Sequence, residues 1–140
     1  MKRPIRLMCV DDNRLMADAL ERRLRNEDGI EWVGWVEEAS RALLAVRESQ
    51  PDVVLLDIDM PGQDCFELVG EIAQIRPETR VIMFSGHVRA DYVDRAIDAG
   101  AWGYASKNDR IGDLLDAIGR AVAGEFVITP DVASEYEAKK

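Results

Sequence analysis

The sequence predicts an α/β fold, a doubly wound parallel sheet of five strands in the order 2-1-3-4-5 with five helices on its two faces. Short apolar runs alternate five times with stretches of helical periodicity, which is the pattern of such a sheet. Residues 53–56 form a continuous apolar run, which indicates a strand buried on both faces. Each run ends at polar residues, as expected where parallel strands reach a ligand-binding edge.

The first two strand–helix units lie before residue 52. Residues 5–10 predict the first strand, and a helix follows from Leu15. The apolar residues expected on its buried face are Leu15, Ala19, Leu20 and Leu24. Residues 31–36 predict the second strand, and the second helix opens near Ser40 and is closed by Pro51.

The remaining units follow the same alternation. After strand 3 (residues 53–56), Asp64 and Glu67 fit a capping box at the start of helix 3. Residues 80–84 predict strand 4, and helix 4 ends with Gly100 as its C-cap. The last elements predicted are strand 5 at residues 103–106, helix 5 at about residues 111–122, and a tail at residues 125–140.

Composition limits the possible functions. The chain has 140 residues, enough for about one domain, and a formal net charge of −9 without a basic stripe, which argues against nucleic-acid binding by these residues. Such an acidic balance suits a metal cation or a basic patch on a protein partner. Cys9 and Cys65 lack metal spacing and predict reduced, packed thiols in the cytoplasm. No signal peptide or membrane span is expected.

Polar residues stand where the predicted strands end. Because the carboxyl ends of parallel strands meet at one edge of the sheet, these residues are expected to converge. They are Asp11 and Asp12 after strand 1, Asp57 and Asp59 after strand 3, Ser85 after strand 4 and Lys107 after strand 5. Clustered carboxylates repel unless a cation neutralises them, and Mg²⁺ is the divalent ion that takes carboxylates and awaits a phosphate.

This residue set suits phosphoryl transfer to a carboxylate. An aspartate can act as the nucleophile and form an acyl phosphate, while a hydroxyl and an ammonium group contact the transferred oxygens. Each element also has a plainer explanation: Asp11 and Asp12 as helix caps, Asp57 as a turn residue, Lys107 as a solvated charge. The joint occurrence at successive strand ends favours the functional interpretation.

Together these residues resemble a bacterial two-component response-regulator receiver domain of flavodoxin-like (CheY-like) fold, over residues 5 to about 124. The resemblance implies that Asp57 accepts a phosphoryl group from the phosphohistidine of a sensor histidine kinase. It also implies a Mg²⁺ (or Mn²⁺) site made by the side chains of Asp11, Asp12 and Asp57 and by the backbone carbonyl of Asp59.

Three further residues receive roles from the resemblance. Ser85 matches the switch hydroxyl, Lys107 the phosphate-binding lysine, and Tyr104 the aromatic that turns inward when the hydroxyl engages phosphate. His87, two residues after Ser85, is predicted to tune the lifetime of the phosphate by standing near the attacking water. Phosphorylation is then expected to shift the protein towards a second conformation, in which the surface formed by helix 4, strand 5 and helix 5 prefers a different partner.

The end of the chain is similar to receivers of NarL/FixJ-type (LuxR-related) transcription regulators, through residues 100–104 and 124–132. We therefore expect residues 1–124 to be the receiver domain. Residues 125–140 are expected to be a tail or the start of a linker to an output domain, outside this chain, that controls transcription. A homodimer is expected through helices 1 and 5 or through the helix 4–strand 5–helix 5 face.

Two departures from the family pattern stand near strand 5. Asn108 follows Lys107 where many receivers have a cis-proline, so the loop lacks that constraint. Ala105 is smaller than the usual branched residue, which predicts looser packing near the switch.

Alternative functions remain at this point. Asp57-Ile58-Asp59 resembles the first motif of haloacid-dehalogenase-like phosphohydrolases, but it lies on the third predicted strand, is followed by Met60, and comes after the acidic pair. A phosphorylation-independent receiver-like interaction module is a second alternative, and a flavodoxin-type cofactor binder a third. No enzymatic activity is expected beyond self-catalysed phosphoryl transfer and slow autodephosphorylation.

Overall fold

A computed structural model describes residues 3–138, in which every strand joins one parallel sheet. In chain order the elements are β1 (Ile5–Val10), α1 (Arg14–Leu24), β2 (Ile30–Val36), a short 3-10 turn (Ala39–Arg41), α2 (Ala42–Ser49), β3 (Val53–Asp57), α3 (Cys65–Ile75), β4 (Arg80–Ser85), α4 (Asp91–Ala99), β5 (Gly103–Ser106), α5 (Ile111–Val122), β6 (Val127–Ile128) and α6 (Pro130–Ala138).

The strand order is β2-β1-β3-β4-β5-β6, with all neighbouring pairs parallel. The predicted doubly wound fold is therefore confirmed, and the predicted order is found with one strand added. The described residues hold six strands and six α-helices instead of five of each. The sixth strand has two residues, Val127 and Ile128, which is too short for a periodic pattern to reveal.

The sheet separates two apolar clusters, and β3 contributes to both. All five β3 residues are buried, with Val53 and Leu55 on one face and Val54 and Leu56 on the other. Helices α1 and α5 cover the first face, whereas α2, α3, α4 and α6 cover the second. This double burial is why the strand is continuously apolar in sequence.

The buried face of α1 differs from the one expected. Ala17, Leu20 and Leu24 are buried, whereas the Leu15 side chain is 82% exposed and Ala19 is also exposed. At 3.6 residues per turn, Leu15 and Leu20 lie about 140° apart around the helix. The expected set was therefore wider than one face, and the sheet covers the side that carries Leu20 and Leu24.

Two glycines shape the β5 end of the sheet. Gly100 ends α4 with φ of 97°, the left-handed conformation expected of its C-cap. At Gly103, a Cβ atom would lie 2.9 Å from the Val127 carbonyl oxygen, so the absence of a side chain lets β6 approach β5. Capping at α3 is also as expected for Asp64, whose carboxylate accepts a hydrogen bond from Phe66 N at 2.8 Å.

Within residues 3–138, no helix combines the length and the apolar character needed to cross a membrane. Cys9 and Cys65 are free, buried thiols. Burial raises the pKa of the Cys65 thiol to about 11, so that it stays protonated at neutral pH.

Candidate functional site

Three carboxylates meet at the carboxyl ends of the neighbouring strands β1 and β3. Asp11 follows β1 and Asp57 ends β3, and these neighbouring parallel strands pair Val10 with Leu56. Asp11, Asp12 and Asp57 each place one carboxylate oxygen within 4.8 Å of those of the other two. Asp11 is fully buried, Asp57 is buried and Asp12 is exposed. The site therefore has two buried carboxylates, and solvent reaches it on the side of Asp12.

Lys107 provides the positive charge next to this trio. Its Nζ lies 2.7 Å from Asp11 Oδ2 and 3.6 Å from Asp57 Oδ1. Although burial alone would lower the pKa of Lys107, the hydrogen bond and charge of Asp11 and the charge of Asp57 raise it overall, so the ammonium form persists. Burial, followed by the charge of Asp11, raises the pKa of the Asp57 carboxyl. The Lys107 ammonium thus pairs with two carboxylates of the trio, Asp11 and Asp57.

Backbone donors aim two of the carboxylates. Asn13 N donates to Asp11 Oδ1 at 2.9 Å, and Asp59 N donates to Asp57 Oδ1 at 3.1 Å. Asn13 is also the N-cap of α1, because its side chain accepts a hydrogen bond from Met16 N. The alternative in which Asp11 or Asp12 serves as the helix cap is therefore wrong.

Trp35 holds Asp11 from the edge strand β2. Its indole Nε1 donates to the Asp11 carbonyl oxygen at 2.7 Å. A β-bulge explains this placement: the register skips Val33, pairing Leu7 with Trp32 but Met8 with Gly34. Side chains along a regular strand alternate between the two faces of the sheet, so Trp32 and Trp35, three residues apart, would lie on opposite faces. The skipped residue places both on the same face. The sequence prediction missed this contact, although Gly34 inside the predicted strand is a signal for such a bulge.

Trp35→Phe tests this hydrogen bond. The change leaves the Asp11 carbonyl without its donor and is expected to lower the free energy of unfolding by about 1 kcal/mol more than Trp32→Phe does. Trp32 is the matched control because it lies on the same strand, is also half-buried and packs in the same cluster. Urea unfolding of both variants measures the difference, and equal losses would show that the indole hydrogen bond contributes nothing.

Ser85 lies at the end of β4, but its contacts are with the loop around the site. The fully buried hydroxyl donates to either Asp59 Oδ2 or the His87 carbonyl, each at 3.0 Å, and accepts from His87 N at 2.9 Å. Its carbonyl accepts from Lys107 N at 2.8 Å, which ties β4 to the Lys107 segment. His87 is an exposed side chain with Nδ1 3.7 Å from Asp59 Oδ2. Asp59 therefore joins Ser85 to His87.

Tyr104 is fully buried in β5. Its hydroxyl accepts a hydrogen bond from Arg89 N at 3.1 Å and lies 3.5 Å from the His87 carbonyl, to which it can donate. Burial raises the pKa of the phenol, which remains neutral. The Tyr104 hydroxyl thus binds the backbone of the loop between β4 and α4. The Tyr104 ring already points into the protein interior.

Comparisons with known proteins identify relatives of this chain. This chain is 31% identical over 135 residues to the response regulator GacA of Pseudomonas viridiflava, covering 96% of this chain and 63% of GacA. It is 34% identical over 128 residues to the uncharacterized transcriptional regulatory protein YvfU of Bacillus subtilis, covering 91% of this chain and 64% of YvfU. The chain therefore spans somewhat less than two thirds of the length of these curated relatives.

Among solved structures, a LuxR-family two-component response regulator from Aurantimonas sp. SI85-9A1 superposes with a TM-score of 0.89, at 29% identity and 97% coverage of each chain. Residues 7–119 match the response regulator receiver domain family, and the chain belongs to that family. It is thus a two-component response-regulator receiver, homologous to transcriptional regulators. The phosphohydrolase alternative receives no support from these matches.

Proposed function

We propose that this receiver accepts a phosphoryl group on Asp57 from the phosphohistidine of a sensor histidine kinase. The observation that carries the proposal is the convergence of three carboxylates within 4.8 Å, with the Lys107 ammonium 2.7 Å from one of them. A carboxylate in such a place can act as a nucleophile, and a neighbouring cation can stabilise the transferred oxygens.

The donor set suits Mg²⁺ or Mn²⁺. Carboxylate oxygens are the ligands that these hard cations take, and one ammonium leaves the three carboxylates with an excess of negative charge. Asp11, Asp12 and Asp57 would supply side-chain oxygens, and Asp59 its backbone carbonyl. When bound, the cation neutralises charge on the transferred phosphoryl oxygens.

The chain's own residues perform the remaining steps of transfer. An Asp57 carboxylate oxygen forms a bond to phosphorus while the phosphorus–nitrogen bond of phosphohistidine breaks, and its electron pair stays on the imidazole. Lys107, already within 3.6 Å of Asp57, binds a phosphoryl oxygen as a point charge. Ser85 donates its hydroxyl to another oxygen, which requires it to leave Asp59 and the His87 carbonyl.

This exchange of Ser85 partners couples the site to its surroundings. The Ser85 hydroxyl and the Tyr104 hydroxyl both contact the backbone between residues 87 and 89, so a move of Ser85 shifts the population of loop conformations. Because Tyr104 is already buried, the proposed switch moves the loop after β4 and α4 while the Tyr104 ring keeps its position. His87 would tune the phosphate lifetime from its position beside Asp59.

The proposed output is control of transcription through a further domain. More than a third of GacA and of YvfU lies outside the matched part, which supports a receiver that acts on a further domain. Homodimerisation is proposed through the α1/α5 face, where Leu15 is exposed, or the α4–β5–α5 face, where Ile97 is half exposed. A kinase donor of this kind would place the protein in the cytoplasm.

Acetyl phosphate tests the proposal without a cognate kinase. Intact-protein mass spectrometry is expected to show one added phosphoryl group with acetyl phosphate and MgCl₂, and none when EDTA replaces MgCl₂. Labelling that ignores the cation, or no labelling at all, would favour the phosphorylation-independent interaction module. Steady turnover of a generic phosphomonoester would instead favour the phosphohydrolase function.

A further inference from the structure

The residues on either side of Lys107 are bonded to a distant part of the chain. Ser106 N donates to Thr129 Oγ1 at 3.0 Å, and Ser106 Oγ donates to Asp131 Oδ2 at 2.6 Å. On the other side, Asp131 N lies 3.2 Å from an oxygen of the Asp109 carboxylate and donates to it. Asp131 thus contacts the chain both before and after the lysine.

The contact between Ser106 and Thr129 is buried, and the contacts of Asp131 with Ser106 and Asp109 are partly buried. Ser106 and Thr129 are both almost fully buried. A hydroxyl-to-carboxylate hydrogen bond of 2.6 Å is charge-assisted, the stronger class of protein hydrogen bond. Ser106 Oγ also accepts from Asn108 N at 3.0 Å, so the Asp131 carboxylate orients a hydroxyl that itself shapes the turn after Lys107.

The segment that carries Asp131 has its own anchors. Gly103 lets β6 approach β5, and Val132 in α6 is fully buried against the same cluster as Tyr104. Pro130 opens α6, so Asp131 stands in the first turn, where the helix dipole favours a carboxylate. A side chain anchored in this way can hold a loop that lacks a proline after its lysine.

We propose that Asp131 is a positioning residue for Lys107: acting through Ser106 and Asp109, it holds the lysine segment so that Nζ faces Asp11 and Asp57. The inference rests on the proposed function, because the position of Lys107 matters for phosphoryl transfer. It assigns to residues 129–131 a part in the site, although they lie beyond the matched family residues 7–119.

The test compares maximal rates of Asp57 phosphorylation by acetyl phosphate in the full chain. In this reaction the phosphorus bond to the acetyl oxygen breaks, acetate leaves, and the Asp57 oxygen bonds to phosphorus. Misplaced groups that support a reactive site cost roughly 10-fold or more in rate, and that is the loss expected for Asp131→Ala and for Ser106→Ala. Asp131→Asn, which keeps an acceptor oxygen, is expected to recover most of the rate.

Two further measurements separate positioning from general damage. The Ser106→Ala/Asp131→Ala double variant is expected to be no slower than Ser106→Ala alone, because Ser106→Ala already removes the contact with Asp131 together with the Asn108 contact. The Mg²⁺ concentration for half-maximal rate is expected not to rise, since the proposed ligands Asp11, Asp12 and Asp57 lie at the ends of other strands and keep their own contacts. Glu137→Ala, an exposed change on α6, is the control and is expected to leave the rate unchanged.

An unchanged rate in Asp131→Ala, or losses that multiply in the double variant, would overturn the inference. An equal loss in Glu137→Ala, or a parallel loss of Mg²⁺ affinity, would do the same. If Asp131→Ala does not fold, Asp131→Asn and Ser106→Ala are compared with the wild type: an unchanged rate in Ser106→Ala overturns the inference, because that change removes the hydroxyl through which Asp131 acts. Failure of the wild-type chain to be phosphorylated at Asp57 would instead contradict the proposed function, so the two failures are distinguishable.

Discussion

Asp57→Asn is expected to abolish phosphorylation by acetyl phosphate and to make the protein more stable. The amide cannot form the acyl phosphate, so no added phosphoryl group should appear. Burial and the charge of Asp11 raise the pKa of the Asp57 carboxyl, which means that its ionisation opposes folding. Removing that charge is expected to raise the free energy of unfolding at pH 7 by about 1 kcal/mol.

The sign of the pH dependence follows from the same shift. The pKa of Asp57 is higher in the folded protein than in the unfolded chain, so protonated Asp57 favours the folded state. This contribution to the free energy of unfolding is fully present below the unfolded pKa and is lost as the pH rises through the folded pKa. The stability gain of Asp57→Asn should therefore be found at neutral pH and shrink as the pH falls towards the range where the Asp57 carboxyl is protonated. Urea unfolding across pH measures it, with the exposed Asp98→Asn as control. A gain that grows at low pH would contradict this explanation.

Lys107→Ala is expected to have the second large effect. It leaves two buried carboxylates without their ammonium partner, at 2.7 and 3.6 Å, and should lower the free energy of unfolding by about 2 kcal/mol in the absence of divalent cations. The phosphorylation rate should fall by roughly 100-fold, the effect of losing one group that stabilises transition-state charge.

Arg110→Ala is the matched control for this loss. Arg110 is an exposed cation three residues away, and its removal should change neither quantity measurably. Saturating MgCl₂ should stabilise Lys107→Ala more than the wild type, because a bound cation supplies charge that the lysine no longer gives. A smaller MgCl₂ effect in the variant would show that Lys107 does not offset the charge of the carboxylates.

The sequence predicted the strand order and the strand ends because both follow from strong patterns. A strand buried on both faces must be apolar throughout, as β3 is, and right-handed crossovers bring all carboxyl ends to one edge. The sequence pattern alone therefore groups Asp11, Asp57 and Lys107. Their roles in phosphoryl transfer remain predictions that the experiments above test.

Other contacts could not be predicted, because they depend on registers and on distant packing. The bulge at Val33 decides where Trp35 points, and although Gly34 indicates a bulge in β2, it does not give the register. The pairing of β6 with β5 depends on the missing side chain at Gly103, 24 residues before Val127 in the sequence. The contact of Asp131 with Ser106 depends on the same pairing, so the sequence did not predict it either.

Reductive trapping of the modified residue tests the central claim most directly. An acyl phosphate is reduced by borohydride to an alcohol, which converts a phosphorylated aspartate into homoserine. After treatment with acetyl phosphate and MgCl₂, peptide mass spectrometry is expected to find homoserine at position 57 and at no other aspartate. Homoserine at another position, or an unreduced Asp57 in a protein that carries phosphate, would contradict the claim that Asp57 is the phosphoryl acceptor.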